Sequence, residues 1–139
     1  MGTNPRQPQP SKTPPRQPVS VPVTLSFRYF RERTPFVTDE VDKNYVGALL
    51  GRFYAVCGMT VTQMKEFRNS PLRCHPIRFE ETSEAGGFEH INLGLLEGTE
   101  PYQFSLTSNK HGRVHGFFVG SVFYVVWVDP THALYPAKG

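Results

Sequence analysis

The segment GRVHGFFVGSVFYVVWVDPTHALYP, residues 112–136, decides the fold of this 139-residue chain. Two apolar runs lie on either side of Gly120-Ser121, and a pair with glycine first is typical of a two-residue type II′ hairpin turn. We therefore predict that RVHGFFV and VFYVVWV are antiparallel neighbours. Because VFYVVWV is apolar on both faces, it is predicted to be the central strand and to bury Trp127.

The predicted turn also fixes a register. Pairing outward from it sets Arg113 opposite Val128 and His115 opposite Val126. Side chains alternate between strand faces, so Arg113 and His115 share one face near one end of the sheet. Gly116 has no side chain, which leaves room for a ligand or another backbone to approach.

Acid–base groups continue beyond the hairpin. Asp129-Pro130 is typical of a strand end, because Asp accepts backbone N–H groups and Pro cannot continue a ladder. His132 follows within one turn, and an imidazole can transfer protons near neutral pH. The open end of the hairpin is therefore predicted to gather polar groups, including Arg113, on one rim.

The sequence before the hairpin predicts two helices and further strands. Apolar residues recur at three- and four-residue steps from Val41 to Val56, which predicts an amphipathic helix capped by Gly58. Thr60 and Gln63 form a capping-box pair for a second helix. TLSFRYF, HPIRFEET and YQFSLTSN alternate like strands. Residues predicted to face the core of these elements are Leu25, Phe27, Tyr29, Val61, Met64, Phe67, Ile77, Phe79, Phe104 and Leu106.

This order of one strand, two helices and then an antiparallel meander of about four strands predicts a single α+β domain over residues 23–139. A helical pair would pack on one face of an antiparallel sheet of four to five strands. Gln103 and Ser105 alternate with core residues and are expected to face outward. Residues 83–101 predict a long loop with a helical turn at HINLGLL. The sheet face opposite the helices is the natural place for a concave site.

Residues 1–22 form a proline-rich leader. They hold seven of the 13 prolines, three of the 15 basic residues and no acid. The rest of the chain therefore has 12 basic and 12 acidic side chains, so it is neutral and has no overall basic character. Such a leader buries too little apolar surface to fold, and we predict that it is disordered.

Deleting residues 1–22 is expected to leave the thermal midpoint of unfolding nearly unchanged, because a disordered leader contributes no core burial. Calorimetry of the full and shortened chains measures this. A drop of several degrees would show that the leader packs on the domain.

Several function classes are not supported by the sequence. There is no long apolar run for a membrane helix and no apolar signal region, so we expect a cytoplasmic protein with reduced Cys57 and Cys74, Cys57 being buried. The spacing of the histidines matches no metal motif, and no glycine-rich phosphate loop follows a strand. We therefore predict no metal, no small-molecule cofactor and no membrane partner.

The pattern QFSLTSNKHGRVHGFFVGSVFYVVWVDPTHALYP resembles the RelE/ParE-like toxin superfamily and a set of uncharacterised bacterial proteins with a similar FYVVWVDPTHALYP ending. The similarity lies in Arg113 of GRVHGF, in the apolar strand that follows, and in His132 and Tyr135 of HALY. It implies a RelE-like fold of β-α-α-β-β-β type and a ribosome-dependent mRNA endoribonuclease. The implied partners are a cognate antitoxin and the mRNA on the ribosome.

The resemblance also implies roles for residues. Arg113 would stabilise phosphate charge, His132 would act as base or acid, and Tyr135 would orient or stack a base. Glu81, or its neighbour Glu80, would supply a carboxylate. Residues near the hairpin would bind substrate, namely Lys110, His111 and His115.

A non-catalytic binding module of the same fold is the alternative. It includes ParE-like poisoning of a target, and Arg113, His115 and Trp127 would then line a recognition face. The neutral domain favours this alternative, whereas the grouping of Arg113, His132 and Tyr135 favours the enzyme.

Overall fold

The computed structural model describes residues 21–32, 43–69, 71–91, 93–107 and 111–135. Its sheet contains β1 (Thr24–Ser26), β2 (His75–Pro76), β3 (Pro101–Ser105), β4 (Arg113–Val119) and β5 (Val122–Asp129). Its helices are α1 (Tyr45–Val56), α2 (Val61–Glu66) and α3 (Leu93–Leu96), with a 3₁₀ turn at Phe79–Glu81. The predicted α+β fold class is confirmed.

The five strands form one mixed sheet in the order β1-β5-β4-β3-β2. Strands β2 to β5 are antiparallel neighbours, and β1 adds a parallel edge in which Leu25 lies opposite Phe123. The middle strand is β4, so the prediction that VFYVVWV is central is wrong by one place. Strand β5 is still flanked on both sides, and Trp127 is fully buried, as predicted.

Apolar clusters cover both faces of the sheet. On the first face, Tyr45, Phe53 and Val56 of α1 and Met64 of α2 pack on the strands, so the helical pair lies where it was predicted. On the second face, a layer from the chain between β2 and β3 and from the segment after β5 packs on the sheet. The buried members of that second cluster are Ile77, Phe88, Ile91, Phe117, Val126, Trp127 and Leu134.

This second layer changes the environment of two polar residues. Gln103 and Ser105 were expected to face outward, and they do lie on the second face, but both side chains are buried. The prediction of exposure was wrong because alternation identifies the face of a strand and not what covers that face. Polar side chains are therefore enclosed on the second face.

A β-bulge reshapes the hairpin. The predicted register holds from Val119–Val122 to Gly116–Val125, but His115 then pairs with Trp127 and not with Val126. Val126 is the extra residue, and beyond it Arg113 lies opposite Asp129 instead of Val128. The register predicted for Arg113 and His115 is therefore wrong. Because the bulge shifts alternation by one, Asp129 lies on the second face beside His115.

Gly116 sits at this bulge. A Cβ atom there would collide with the carbonyl oxygen of Tyr124 and with the ring of Phe123. The expected close approach of another backbone is thus present.

Gly116→Ala is expected to lower the free energy of unfolding by about 3 kcal/mol, because the added methyl group overpacks the hairpin. Chemical denaturation measures the change. Gly47→Ala is the matched control: its Cβ would meet nothing within 4 Å on helix α1. That variant should gain roughly 0.5–1 kcal/mol from helix propensity. Equal effects of the two changes would contradict the steric account.

Local signals in the sequence were accurate at two places. Gly120 has a φ of 58°, while Ser121 is not among the residues with positive φ, as a type II′ turn requires. At the start of α2, Thr60 Oγ1 accepts the Gln63 N–H at 3.1 Å, and Gln63 Oε1 accepts the Thr60 N–H at 2.9 Å. The hairpin turn and the capping box are both confirmed.

Other local predictions were wrong. Strand β1 ends at Ser26, whose hydroxyl accepts the Arg28 N–H, and Phe27 is 51% exposed beyond it. Phe67 caps α2 and is 46% exposed. In HPIRFEET only His75 and Pro76 are paired, because proline cannot donate to a ladder. The chain then forms the 3₁₀ turn that contains Phe79. Helix α1 ends at Val56 with Cys57 as its cap, one residue before the glycine predicted to end it.

Candidate functional site

A buried histidine–aspartate pair lies where β4 and β5 end. His115 Nε2 lies 2.9 Å from Asp129 Oδ2, and both side chains are fully buried. Asp129 also accepts the N–H groups of Ala133 at 2.7 Å and Leu134 at 2.9 Å. The carboxylate therefore fixes the turn after β5, which is the strand-end role that its sequence context indicated.

The protonation of this pair follows from its surroundings. Burial lowers the pKa of His115 below 6.5 and outweighs the opposing hydrogen bond and charge of Asp129. Burial raises the pKa of Asp129, but the hydrogen bond and charge of His115, together with two backbone N–H groups, hold it below 3.8. A neutral imidazole that donates Nε2–H to an ionised carboxylate is consistent with the lowered pKa values of both His115 and Asp129.

Polar side chains continue across the second face in two rows. In one row Ser105, Arg113 and Asp129 lie on adjacent strands β3, β4 and β5. In the next row His75 pairs with Gln103, which pairs with His115. The Gln103 Nε2 atom lies 3.2 Å from His75 Nε2. One end of the buried second face is thus polar, and His75 extends these polar rows to the β2 edge of the sheet.

Arg113 is almost completely buried within these rows. Its Nη1 donates to the Gly112 carbonyl oxygen at 3.2 Å, while its Nε has no hydrogen-bond partner among the residues that the structure describes. Burial and the nearby charge of Arg73 both lower the pKa of Arg113. In this position the guanidinium acts as a fixed positive charge beneath the surface.

His132 lies on the turn that Asp129 fixes. Its N–H donates to the Asp129 carbonyl oxygen at 3.1 Å, and its side chain is half-buried. Burial lowers the pKa of His132, and the positive charge of Arg113 acts in the same direction. The imidazole is therefore neutral near pH 7, as a proton acceptor must be.

Strained backbone accumulates around Arg113. In the described chain, the non-glycine residues with positive φ are Arg73 (50°), His111 (62°) and His132 (57°). His111 precedes β4, and Leu72, next to Arg73, accepts the N–H of Ser105 in the Arg113 row. Such conformations cost about 1 kcal/mol or more each and concentrate at functional sites.

An open polar cavity of about 300 Å³ lies at the β2 edge of the sheet. Tyr135 Oη accepts the Arg78 backbone N–H at 2.9 Å, which leaves its own proton available to a ligand. The exposed Arg78 and Glu81 side chains are 3.9 Å apart, a spacing that contributes little to stability. The residues lining this polar cavity are Arg68, His75, Pro76, Arg78, Glu81 and Tyr135.

Hydrogen bonds between segments that are distant in sequence form the polar cavity. The Ser83 N–H donates to the Leu134 carbonyl oxygen at 2.9 Å, and Ser83 Oγ donates to the Ala133 carbonyl oxygen at 3.0 Å. These bonds join the segment after β5 to the chain just beyond the 3₁₀ turn. They bring Tyr135 to the same cavity as Glu81.

The structure divides the predicted site residues into two groups. Glu81 and Tyr135 share the polar cavity, whereas Arg113 and His132 lie with Asp129 at the end of the sheet. His75 links the groups, because it lines the cavity and its charge also lowers the pKa of His115.

The three predicted substrate-binding residues have different positions. His115 has no exposed surface, so in this conformation it supports the turn through Asp129 and does not face a ligand. The ring of His111 lies 6.0 Å from that of Tyr45. Lys110 lies outside the described residues.

Sequence reasoning missed the cationic side of the cavity. Arg68, Arg73, His75 and Arg78 all belong to the segment FRNSPLRCHPIR. This density of basic and imidazole groups, interrupted by two prolines, was the available signal for a surface segment that binds anions.

Three findings concern metal ligands, membrane-spanning helices and thiols in the described parts of the chain. No group of three or more His, Cys, Asp or Glu residues there is placed to hold a metal ion. No helix in these parts has the length and apolar character needed to cross a membrane. Cys57 is exposed, contrary to prediction, because it caps α1, while burial raises the pKa of Cys74 to about 12.

No family model, curated protein or solved structure matches this chain. Function must therefore be argued from the chemistry of the site. The site combines two surface cations, a carboxylate and a phenol in one cavity with a neutral imidazole on the adjoining turn.

Proposed function

We propose that this chain is a RelE-like toxin that cleaves RNA, acting on mRNA at the ribosome in the bacterial cytoplasm. The observation that carries the proposal is the convergence of Glu81 and Tyr135 in one open cavity with Arg68 and Arg78. The two segments concerned are more than 50 residues apart, so only the fold unites them. Guanidinium groups suit phosphate oxygens, and the cavity is open to an extended ligand.

The reaction needs a base, a cation and an acid. A base removes the 2′-OH proton, the 2′-oxygen bonds to the adjacent phosphorus, and the bond from phosphorus to the 5′-oxygen breaks as an acid protonates that oxygen. The products are a 2′,3′-cyclic phosphate and a 5′-hydroxyl end. His132 is assigned as the base, because the Asp129 carbonyl oxygen holds its backbone on the turn that leads to Tyr135 and its lowered pKa keeps it neutral.

The other roles follow from how far each side chain is exposed to solvent. Arg68 and Arg78 are exposed at the cavity and would stabilise the phosphorane charge. Tyr135 would donate its hydroxyl proton to the leaving 5′-oxygen, and Glu81 would orient the substrate. Arg113 is too buried to contact phosphate, so its role becomes that of the charge that keeps His132 neutral.

A binding module of the same fold is the second candidate. One exposed stripe of α1 carries Val46, Leu50 and Tyr54 at four-residue spacing, and Tyr54 is 85% exposed. Exposed apolar stripes of this kind are typical of surfaces that bind another protein. A cognate antitoxin or another protein target would occupy it in this alternative.

The test is cleavage of a defined transcript by the purified full chain, with and without translating ribosomes. We expect cut transcripts with 5′-hydroxyl and 2′,3′-cyclic phosphate ends. Transcripts that stay intact with ribosomes present would reject the enzyme. Growth arrest in cells without RNA cleavage would favour the binding module.

A further inference from the structure

A second cavity of about 450 Å³ opens on the same sheet face as the polar cavity. Its walls are largely apolar and include the side chains of Phe79, Phe88, Phe117 and Leu96. The volume is within the range of small-molecule sites, and aromatic walls suit a flat ring.

The two polar side chains at the rim of this apolar cavity are hydrogen-bond acceptors. Thr99 Oγ1 already donates its proton to the Leu96 carbonyl oxygen at 2.8 Å, so it offers only lone pairs. The Glu89 carboxylate lies over Gly86, where a Cβ atom would collide with it, and when ionised it can only accept. The N–H groups of Gly87 and Glu89 are already donated within the loop. The rim therefore favours a ligand that presents N–H groups.

The two cavities share one wall. Arg78 and Glu81 line the polar cavity, while Phe79 between them lines the apolar one. Ile77, the preceding residue, donates its N–H to Pro101, which also lines the apolar cavity. A ligand that spans this wall needs an anionic group and a flat apolar ring joined by a short linker. A nucleotide has this construction.

We infer that the apolar cavity binds the amino-bearing nucleobase of a nucleotide whose phosphate lies in the polar cavity. This subsite rests on the proposed function, since it would read one base next to the cleaved phosphate. Among pyrimidines, cytosine presents an amino group where uracil presents a carbonyl oxygen, and carboxylates accept from that amino group. Glu89 and Thr99 thus favour cytosine over uracil.

Binding of three mononucleotide probes to the full chain tests the inference. Cytidine monophosphate, uridine monophosphate and ribose 5-phosphate differ only in the base. We expect the cytidine probe to bind about 10-fold more tightly than ribose 5-phosphate, by calorimetry, because one base–aromatic contact has this scale. Trp127 is the only tryptophan, and its ring lies 4.9 Å from Phe88, so its fluorescence should respond to a base in the cavity.

Variants assign the preference to named groups. Glu89→Gln should bring the two pyrimidine probes to nearly equal affinity, because an amide can also donate to the uracil carbonyl. Thr99→Phe and Leu96→Phe fill the cavity by different routes and should reduce cytidine binding to the level of ribose 5-phosphate. Arg68→Gln, in the polar cavity, should weaken all three probes by a similar factor.

Two outcomes would overturn the inference: equal binding of cytidine monophosphate and ribose 5-phosphate, or cytidine binding that survives both cavity-filling variants. Its failure is distinct from failure of the proposed function. RNA cleavage with no base contribution would remove the subsite and keep the enzyme. Base-dependent binding without RNA cleavage would keep the subsite on a chain that binds nucleotides without cutting them.

Discussion

His132→Asn is expected to slow RNA cleavage about 100-fold or more, the scale for removing a group that transfers a proton. The fold should survive the change. His132 has a φ of 57°, and asparagine tolerates this conformation better than most residues. Single-turnover cleavage of the transcript with ribosomes measures the rate, and thermal unfolding checks the fold.

A matched pair of carboxylates controls for general charge effects. Glu80 and Glu81 are adjacent and both exposed, but only Glu81 is among the residues lining the polar cavity. Glu81→Gln should reduce cleavage, while Glu80→Gln should leave it nearly unchanged. Normal cleavage by both His132→Asn and Glu81→Gln would reject the assigned site.

Asp129→Ala is expected to lower the free energy of unfolding by about 3–5 kcal/mol, because it leaves three donors without their acceptor, at a cost of roughly 1–3 kcal/mol for each buried one. The change removes the partner of His115 and leaves the N–H groups of Ala133 and Leu134 without their acceptor. Chemical denaturation measures it. Asp129→Asn keeps one carbonyl acceptor and should cost less. A loss under 1 kcal/mol for the alanine variant would contradict this account.

The same pair predicts how stability depends on pH. The pKa of folded His115 lies below its ordinary value of 6.5, so between these values the unfolded chain binds more protons. Stability is therefore fully present above pH 6.5 and falls as the pH drops below that value through the lowered pKa of folded His115. The lowered pKa of Asp129 adds a further loss at more acidic pH. Because the lowered pKa of His132 gives a slope of the same sign, the measurement uses the His132→Asn variant, whose unfolding free energy would show no slope just below pH 6.5 if His115 were not held neutral.

The parts of the fold that were predicted correctly depend on neighbours in sequence. Gly120-Ser121 fixes its turn, and Thr60 with Gln63 fixes the start of α2, through contacts only a few residues long. The parallel pairing of β1 with β5 joins residues nearly 100 positions apart, and no local pattern encodes it. The bulge was invisible because Val126 and Trp127 are both apolar, so either residue satisfies a buried position.

Only part of the candidate site could be predicted, because contacts between segments distant in sequence bring its residues together. Tyr135 and Glu81 were identified by residue type and resemblance, but their shared cavity depends on hydrogen bonds from Ser83 that join two remote segments. The burial of Arg113 could not be foreseen, because alternation does not reveal the second layer over the sheet. The basic segment that contains Arg68 and Arg78 could have been recognised from its composition, but it lies outside the hairpin on which the site prediction was based.

The bulge at Val126 decides which face of the sheet the later residues of β5 occupy. If the ladder continued without the bulge, with Val126 opposite His115, every later side chain of β5 would change sides. Trp127 would then face α1, and Asp129 would point into the apolar cluster that contains Tyr45. Substitutions in β5 can therefore be graded in effect, whereas a change in how Val126 pairs acts as a switch between two opposite surfaces.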